Sequence, residues 1–277
     1  MTDSTASAFV PGHVTGFFAP SPADDPIEAG SRGGGLALSA GARVSVSPGD
    51  GVTLGDERVG VGAVERVLRA LGVDAHVTVE TDLPLGAGFG VSGAAALGAA
   101  LAANDAFDCR LSENELVAVA HGAEVQAGTG LGDVVAQARG GVPLRLDPGA
   151  PPHGTMDAIP ARSQIEYVTF GQLSTAEVLG GDTDQLSAAG ERALAAVVED
   201  PTLSAFMRAA RRFARETGLL TDRVREAIEA VSEAGGDASM AMLGETVFAL
   251  GTGLSDAGYD PATCEVHPPG ATLLPAE

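Results

Sequence analysis

The sequence predicts an α+β fold in two domains, residues 1–150 and 151–277. Three observations carry this prediction. Segments of alternating apolar and polar residues interleave with segments of helical period on both sides of a Pro/Gly cluster, Asp147-Pro148-Gly149-Ala150-Pro151-Pro152. The order of those segments is irregular, unlike the repeating strand-helix-strand units of a parallel sheet. Hydrophobic residues make up 45% of 277, enough for a core, but aromatics are only 4% and Trp is absent, so Ala, Val and Leu must fill it.

Residues 41–48 alternate, Val44 and Val46 against Arg43, Ser45 and Ser47, as in a half-buried strand. A helix is expected over 61–71 through Val64, Val67, Leu68 and Leu71, and an alternating strand over 76–80. The Gly-rich stretch from Leu83 to Gly93 then opens a helix over 94–103. Ser112 and Glu115 have the spacing of a capping box, so a further helix starts there and carries His121 and Glu124 on one side. A glycine-rich turn, 128–132, leads to Asp133, and a short strand is expected over 142–146. Beyond the Pro/Gly cluster the pattern predicts a strand over 165–170, helices over 184–198, 203–216 and 222–233, and a closing strand pair, 246–250 with 263–267.

Composition excludes several functions. The formal net charge is −21, and all 16 basic residues are Arg. Such a surface repels a phosphate backbone, so no nucleic-acid partner is expected. Acids spread along the chain suit a protein working in high salt, where carboxylates hold water and cations while salt screens their repulsion. No apolar run reaches the ~20 residues of a membrane helix, so no membrane partner is expected. Cys109 and Cys264 are distant in sequence and have no metal-binding spacing. With no basic leader segment, the expected location is the cytoplasm, with both thiols reduced.

The strongest chemical signal is the run from Pro84 to Gly93. Beginning at Pro84, its glycines Gly86, Gly88, Gly90 and Gly93 let backbone approach a ligand closely, and the helix that follows turns free N–H groups and its positive end toward an anion. Ser92 is placed to reach both a phosphate and a divalent cation. A tight strand-to-helix turn without ligand is the plainer alternative. The run is not a Walker loop, because no Gly-Lys-Ser or Gly-Lys-Thr follows, and Val91 stands where a dinucleotide fingerprint wants glycine. Glu124 offers hard oxygens to Mg²⁺, which needs only one or two protein carboxylates beside phosphate. Asp133 is a candidate to accept or orient a hydroxyl proton. A solvated helix face and a helix cap are the plain alternatives for these two residues.

Gly88-Phe89-Gly90-Val91-Ser92-Gly93-Ala94 resembles the phosphate-loop motif of the GHMP kinases, with Val91 replacing the first of two serines. Val10-Pro11-Gly12-His13-Val14 is similar to their N-terminal Ala-Pro-Gly-Lys motif, with His13 in place of Lys. Glu124, Gly130-Leu131-Gly132-Asp133 and residues 241–250 follow in family order. The resemblance implies an N-terminal domain like the second domain of ribosomal protein S5, with a C-terminal α+β domain. It also implies ATP and Mg²⁺ as cofactors, Ser92 and Glu124 as metal ligands, and Asp133, Glu124 and Ser92 as catalytic residues. Within that superfamily, Ser31-Arg32-Gly33-Gly34-Gly35, Ala120-His121-Gly122-Ala123-Glu124, Arg139-Gly140-Gly141, Arg145, 173–179 and Pro269-Gly270-Ala271 resemble the archaeal pantoate kinases. That likeness implies ATP-dependent phosphorylation of pantoate to 4-phosphopantoate, a step toward coenzyme A, with Ser31, His121, Arg145 and Thr175 as substrate contacts. A homodimer is allowed. Plain alternatives are a turn for Ser31, a satisfied helix histidine for His121, a surface strand end for Arg145, a helix cap for Thr175 and a core or turn residue for His13. Other acceptors (homoserine, mevalonate), a catalytically silent binding protein and a NAD-binding module are the competing functions.

Overall fold

The computed structural model describes residues 5–172 and 183–275. Its mixed helices and sheets are α+β, as the sequence predicts. Two long strands, Ala6–Ser21 (β1) and Gly30–Pro48 (β2), form an antiparallel hairpin at the centre of the first sheet. That sheet adds Gly51–Leu54 (β3), Glu57–Val59 (β4), Ala75–Thr81 (β5), Val142–Asp147 (β6), Thr155–Ile159 (β7) and Thr272–Leu273 (β12). Its main path runs β12-β1-β2-β5-β3-β4, with β6 pairing β2 and β7; only the β3·β5 pair is parallel. The second sheet has Gln164–Gln172 (β8), Ala238–Ala241 (β9), Gly244–Leu250 (β10) and Ala262–Glu265 (β11) in the order β11-β8-β10-β9, all antiparallel.

The strand predicted over 41–48 is the second half of β2, whose first half runs through Gly33-Gly34-Gly35. That half is buried on both sides, so it lacks the alternation that marks a half-solvated strand. The expected closing strand pair is corrected as well: β10 and β11 flank β8 and do not pair with each other. The expected boundary at residue 150 falls between β6 and β7, both in the first sheet, and the chain passes to the second sheet between Ile159 and Gln164.

Helices Gly62–Leu71 (α1), Val91–Ala106 (α2), Glu113–Ala127 (α3) and Asp133–Arg139 (α4) accompany the first sheet. Every residue of α2 from Gly93 to Ala103 is buried, as a helix that is apolar all round must be. It packs on β1 and β2 and is flanked by α1 and α3. The capping box of α3 is present: Ser112 and Glu115 each bind the other's backbone N–H, satisfying two orphan donors. Thr183–Glu199 (α5), Leu203–Glu216 (α6), Asp222–Glu233 (α7) and Gly253–Asp256 (α8) cover the rest. Thr202 and Thr221 cap α6 and α7 through their hydroxyls. Phe17 and Phe18 of β1 meet Phe206 and Phe213 of α6 at ring distances of 5.5 and 5.7 Å, joining the two layers. Among the described residues no helix is long and apolar enough to cross a membrane.

Candidate active site

The loop between β5 and α2 turns back on itself because Gly86, Gly88 and Gly90 all have positive φ, 68°, 87° and 63°. An L side chain there would be strained. Gly90 is the N-cap of α2 and supplies no side-chain cap, so the first amides of the helix stay open toward an anion. The loop is clamped from the second sheet, where Thr246 Oγ1 donates to the Ala87 carbonyl at 2.8 Å. Gln137 Nε2 of α4 donates to the Gly90 carbonyl at 2.9 Å.

Three chemically active side chains converge beside this loop. Ser92 Oγ donates to Glu124 Oε2 at 3.1 Å and lies 3.3 Å from Thr129 Oγ1. Glu124 is 2% exposed, so it is not on a solvated face. Burial, with the nearby Asp133 charge, raises its pKa to about 7, against the pull of hydrogen bonds from Thr129 and Ser92. Asp133 opens α4, and its Oδ1 lies 2.7 Å from His13 Nδ1 of β1. Burial pushes the Asp133 carboxyl up, but the bond from His13, with the His13 and Arg145 charges, more than offsets this and leaves it below its ordinary value. His13 is fully buried; desolvation pulls its pKa down against the opposing pull of Asp133, and because a carboxylate only accepts, the ring donates from Nδ1.

A cavity of about 350 Å³, the size of a small-molecule site, contains Ser92, Glu124 and Asp133 together with Gly86, Gly88 and Gly90. Its outer wall is apolar: Leu54 and Val59 from the β3–β4 hairpin, with Val61, Val79 and Leu85. Pro84 and Gly93 shape the loop without lining the cavity. A recess of about 20 Å³ adjoins it through the shared residues Thr15, Asp133 and Leu243. Ser31 and Arg145 line that recess. Arg145 is 2% exposed; its Nε donates to the Ser31 carbonyl at 3.1 Å and its Nη2 to Ser31 Oγ at 3.3 Å, while Nη1 has no partner. Desolvation lowers its pKa to about 10, with Asp133 opposing, so the guanidinium stays charged at pH 7. His121 is buried and lines neither cavity; its Nε2 donates to the Ala29 carbonyl at 2.8 Å, next to Gly30 and Ser31. Thr175 lies outside the described residues.

The family model of the GHMP kinases N terminal domain matches residues 59–141, and that of the GHMP kinases C terminal domain matches residues 193–258. A pantoate kinase of Methanocaldococcus jannaschii is 33% identical over 250 residues, 87% of this chain and 91% of that protein. The chain belongs to the GHMP kinase family. A pantoate kinase of Thermococcus kodakarensis is 35% identical over 88% of this chain and 86% of its own. A solved structure described as a phosphotransferase related to the CoA biosynthesis pathway superposes with a TM-score of 0.87 at 30% identity, over 97% of this chain and 98% of that one. GHMP kinases use ATP with Mg²⁺. The residues present fit that requirement. Among the described residues no group of three or more His, Cys, Asp or Glu side chains is placed to hold a metal. Glu124 is buried and accepts from Ser92, and the start of α2 carries no side-chain cap.

Sequence reasoning missed Thr15, Leu131 and Leu243 in the recess and the hairpin wall Leu54 and Val59 in the cavity. The alternating Val52 and Leu54, turning at Gly55, was the available signal for the hairpin.

Proposed function

We propose that this GHMP kinase transfers the γ-phosphoryl group of ATP to a hydroxyl of pantoate, giving 4-phosphopantoate. The observation that carries the choice of acceptor is the buried Arg145 guanidinium, whose Nη1 has no hydrogen-bond partner, in a recess that shares Thr15, Asp133 and Leu243 with the larger cavity. A buried guanidinium nitrogen without a hydrogen-bond partner offers a donor to an anionic ligand, and a guanidinium holds a carboxylate through charge-assisted hydrogen bonds. Pantoate supplies a carboxylate and two hydroxyls. The pantoate kinases among the relatives support the same acceptor.

In this reading the amides at the start of α2 hold the phosphates of ATP, and the apolar wall from Leu54 to Val79 holds its base. Ser92 and Glu124 hold Mg²⁺, which when bound neutralises charge on the phosphate oxygens. Arg145 and Ser31 fix the carboxylate end of the acceptor, and His121 braces the Ala29 backbone leading into Ser31. Asp133, kept ionised, orients the acceptor hydroxyl and takes its proton as the new O–P bond forms and the bond to the β,γ-bridging oxygen breaks, releasing ADP.

The test is a panel of pantoate, homoserine and mevalonate with ATP and Mg²⁺ at molar salt, following ADP release and the phosphorylated product. Turnover should be specific to pantoate, and Asp133→Asn should lower kcat by about 10²–10⁴ with ATP binding retained. Turnover with homoserine or mevalonate but not pantoate overturns the acceptor assignment. ATP binding without turnover on any alcohol overturns the kinase reading.

A further inference from the structure

His13 and Asp133 are 120 residues apart in sequence, and their contact is the shortest bond either side chain makes in the site. Two register irregularities in the β1–β2 pair, at Pro11/Gly12 and Thr15/Phe17, bracket His13 and aim its ring inward. The backbone N–H of His13 donates to the Phe89 carbonyl at 2.9 Å, tying this stretch of β1 to the phosphate loop. Across the hairpin stands Gly35, where a Cβ would come within 2.7 Å of His13 Cε1. The imidazole therefore fills the space of a side chain at residue 35 and has no room to turn away.

We infer that His13 is the positioning residue for Asp133, holding one carboxylate oxygen from Nδ1 so that the other faces the reacting hydroxyl. The inference rests on Asp133 serving as the proton acceptor in the proposed reaction. A carboxylate only accepts, so the proton of this contact lies on Nδ1. The second ring nitrogen, Nε2, is buried without a partner. With nothing to receive a proton from Nε2, the ring is an anchor and not a relay. Oδ1 of Asp133 is pinned toward β1, while Oδ2 lies on the side of Gly130, whose Cβ position is also next to Glu124 Oε1. The anchor thus sets which carboxylate oxygen points into the cavity shared with Ser92 and Glu124. It also supplies a fixed donor to an anion that burial alone would push toward protonation.

Two variants separate anchoring from bulk. His13→Leu fills the space without a donor; His13→Asn keeps an N–H near the position of Nδ1. The leucine variant should lower kcat on the order of tenfold to hundredfold, as losing the partner of a functional group does, with KM for ATP and for the acceptor within about threefold. The asparagine variant should recover most of that loss. Unchanged kcat in His13→Leu, or no recovery in His13→Asn, overturns the inference. A measurement on the wild type covers variants that fail to fold. With ¹⁵N-labelled histidine, the ring of His13 should carry its proton on Nδ1, and Asp133→Asn should shift that resonance. A ring bare at Nδ1 overturns the inference. Absence of phosphoryl transfer by the wild type would instead defeat the functional reading, and the ring spectrum would still decide the contact.

Discussion

Replacing Glu124 with glutamine should flatten the pH dependence of stability in the metal-free protein. The carboxyl has an ordinary pKa of 4.5 and titrates at about 7 in the fold because it is buried near Asp133. Below the lower value it is protonated in both the folded and unfolded chains and costs nothing. As pH rises from there, the unfolded chain ionises first, so the folded state loses stability continuously and the loss is complete above about 7. At ~1.36 kcal/mol for each pH unit of that interval, the loss is about 3 kcal/mol. Glutamine matches the shape of the protonated carboxyl and cannot ionise. The variant should therefore gain about 3 kcal/mol over the wild type between about pH 4.5 and about pH 8, all other titrations being common to both. Urea unfolding at fixed molar salt with a chelator, followed by far-ultraviolet circular dichroism because the chain has no Trp, reads this difference directly. A stability difference constant within about 0.5 kcal/mol across that range would refute the argument that Glu124 is desolvated and charge-crowded.

Arg145→Met should raise KM for pantoate by about tenfold to hundredfold, the value of a charged hydrogen bond, while KM for ATP changes by less than about threefold. The amide of pantoate, which lacks the charge, should distinguish the two enzymes much less, and equal losses on acid and amide would refute carboxylate recognition. Lowering salt from 1 M to 0.1 M lengthens electrostatic screening from ~3 Å to ~10 Å and exposes the repulsion of a net charge of −21. The thermal midpoint should fall accordingly, equally in NaCl and KCl, and an unchanged midpoint would remove the high-salt proposal.

The elements whose ends are most legible in the sequence are those with one face in water and a side-chain cap. Helices α6 and α7 match their predicted spans because each buries one stripe and starts at a Thr cap. The capping box of α3 depends on two residues three apart, so it is readable from sequence. β1 and the first half of β2 have neither aid: both faces are covered and glycines interrupt them. At the site, Ser92, Glu124 and Asp133 were found through a local loop motif and the order of residues after it, and they do share one cavity. The burial of Arg145 and its open Nη1 had no sequence signal, because both depend on Ser31, 114 residues away. The same holds for His13, which is adjacent to Asp133 only once β1 has been laid against the start of α4.

Thr15, Asp133 and Leu243 form a wall common to the large cavity and the small recess. Leu243 holds a left-handed backbone, φ 67°, at the turn between β9 and β10, a conformation that costs a leucine about 1–2 kcal/mol. A side chain that moves at this wall therefore changes the shape of both chambers at once. Substitution of Leu243 by glycine, which holds a positive φ without strain, would then be felt on the nucleotide side and on the Arg145 side together.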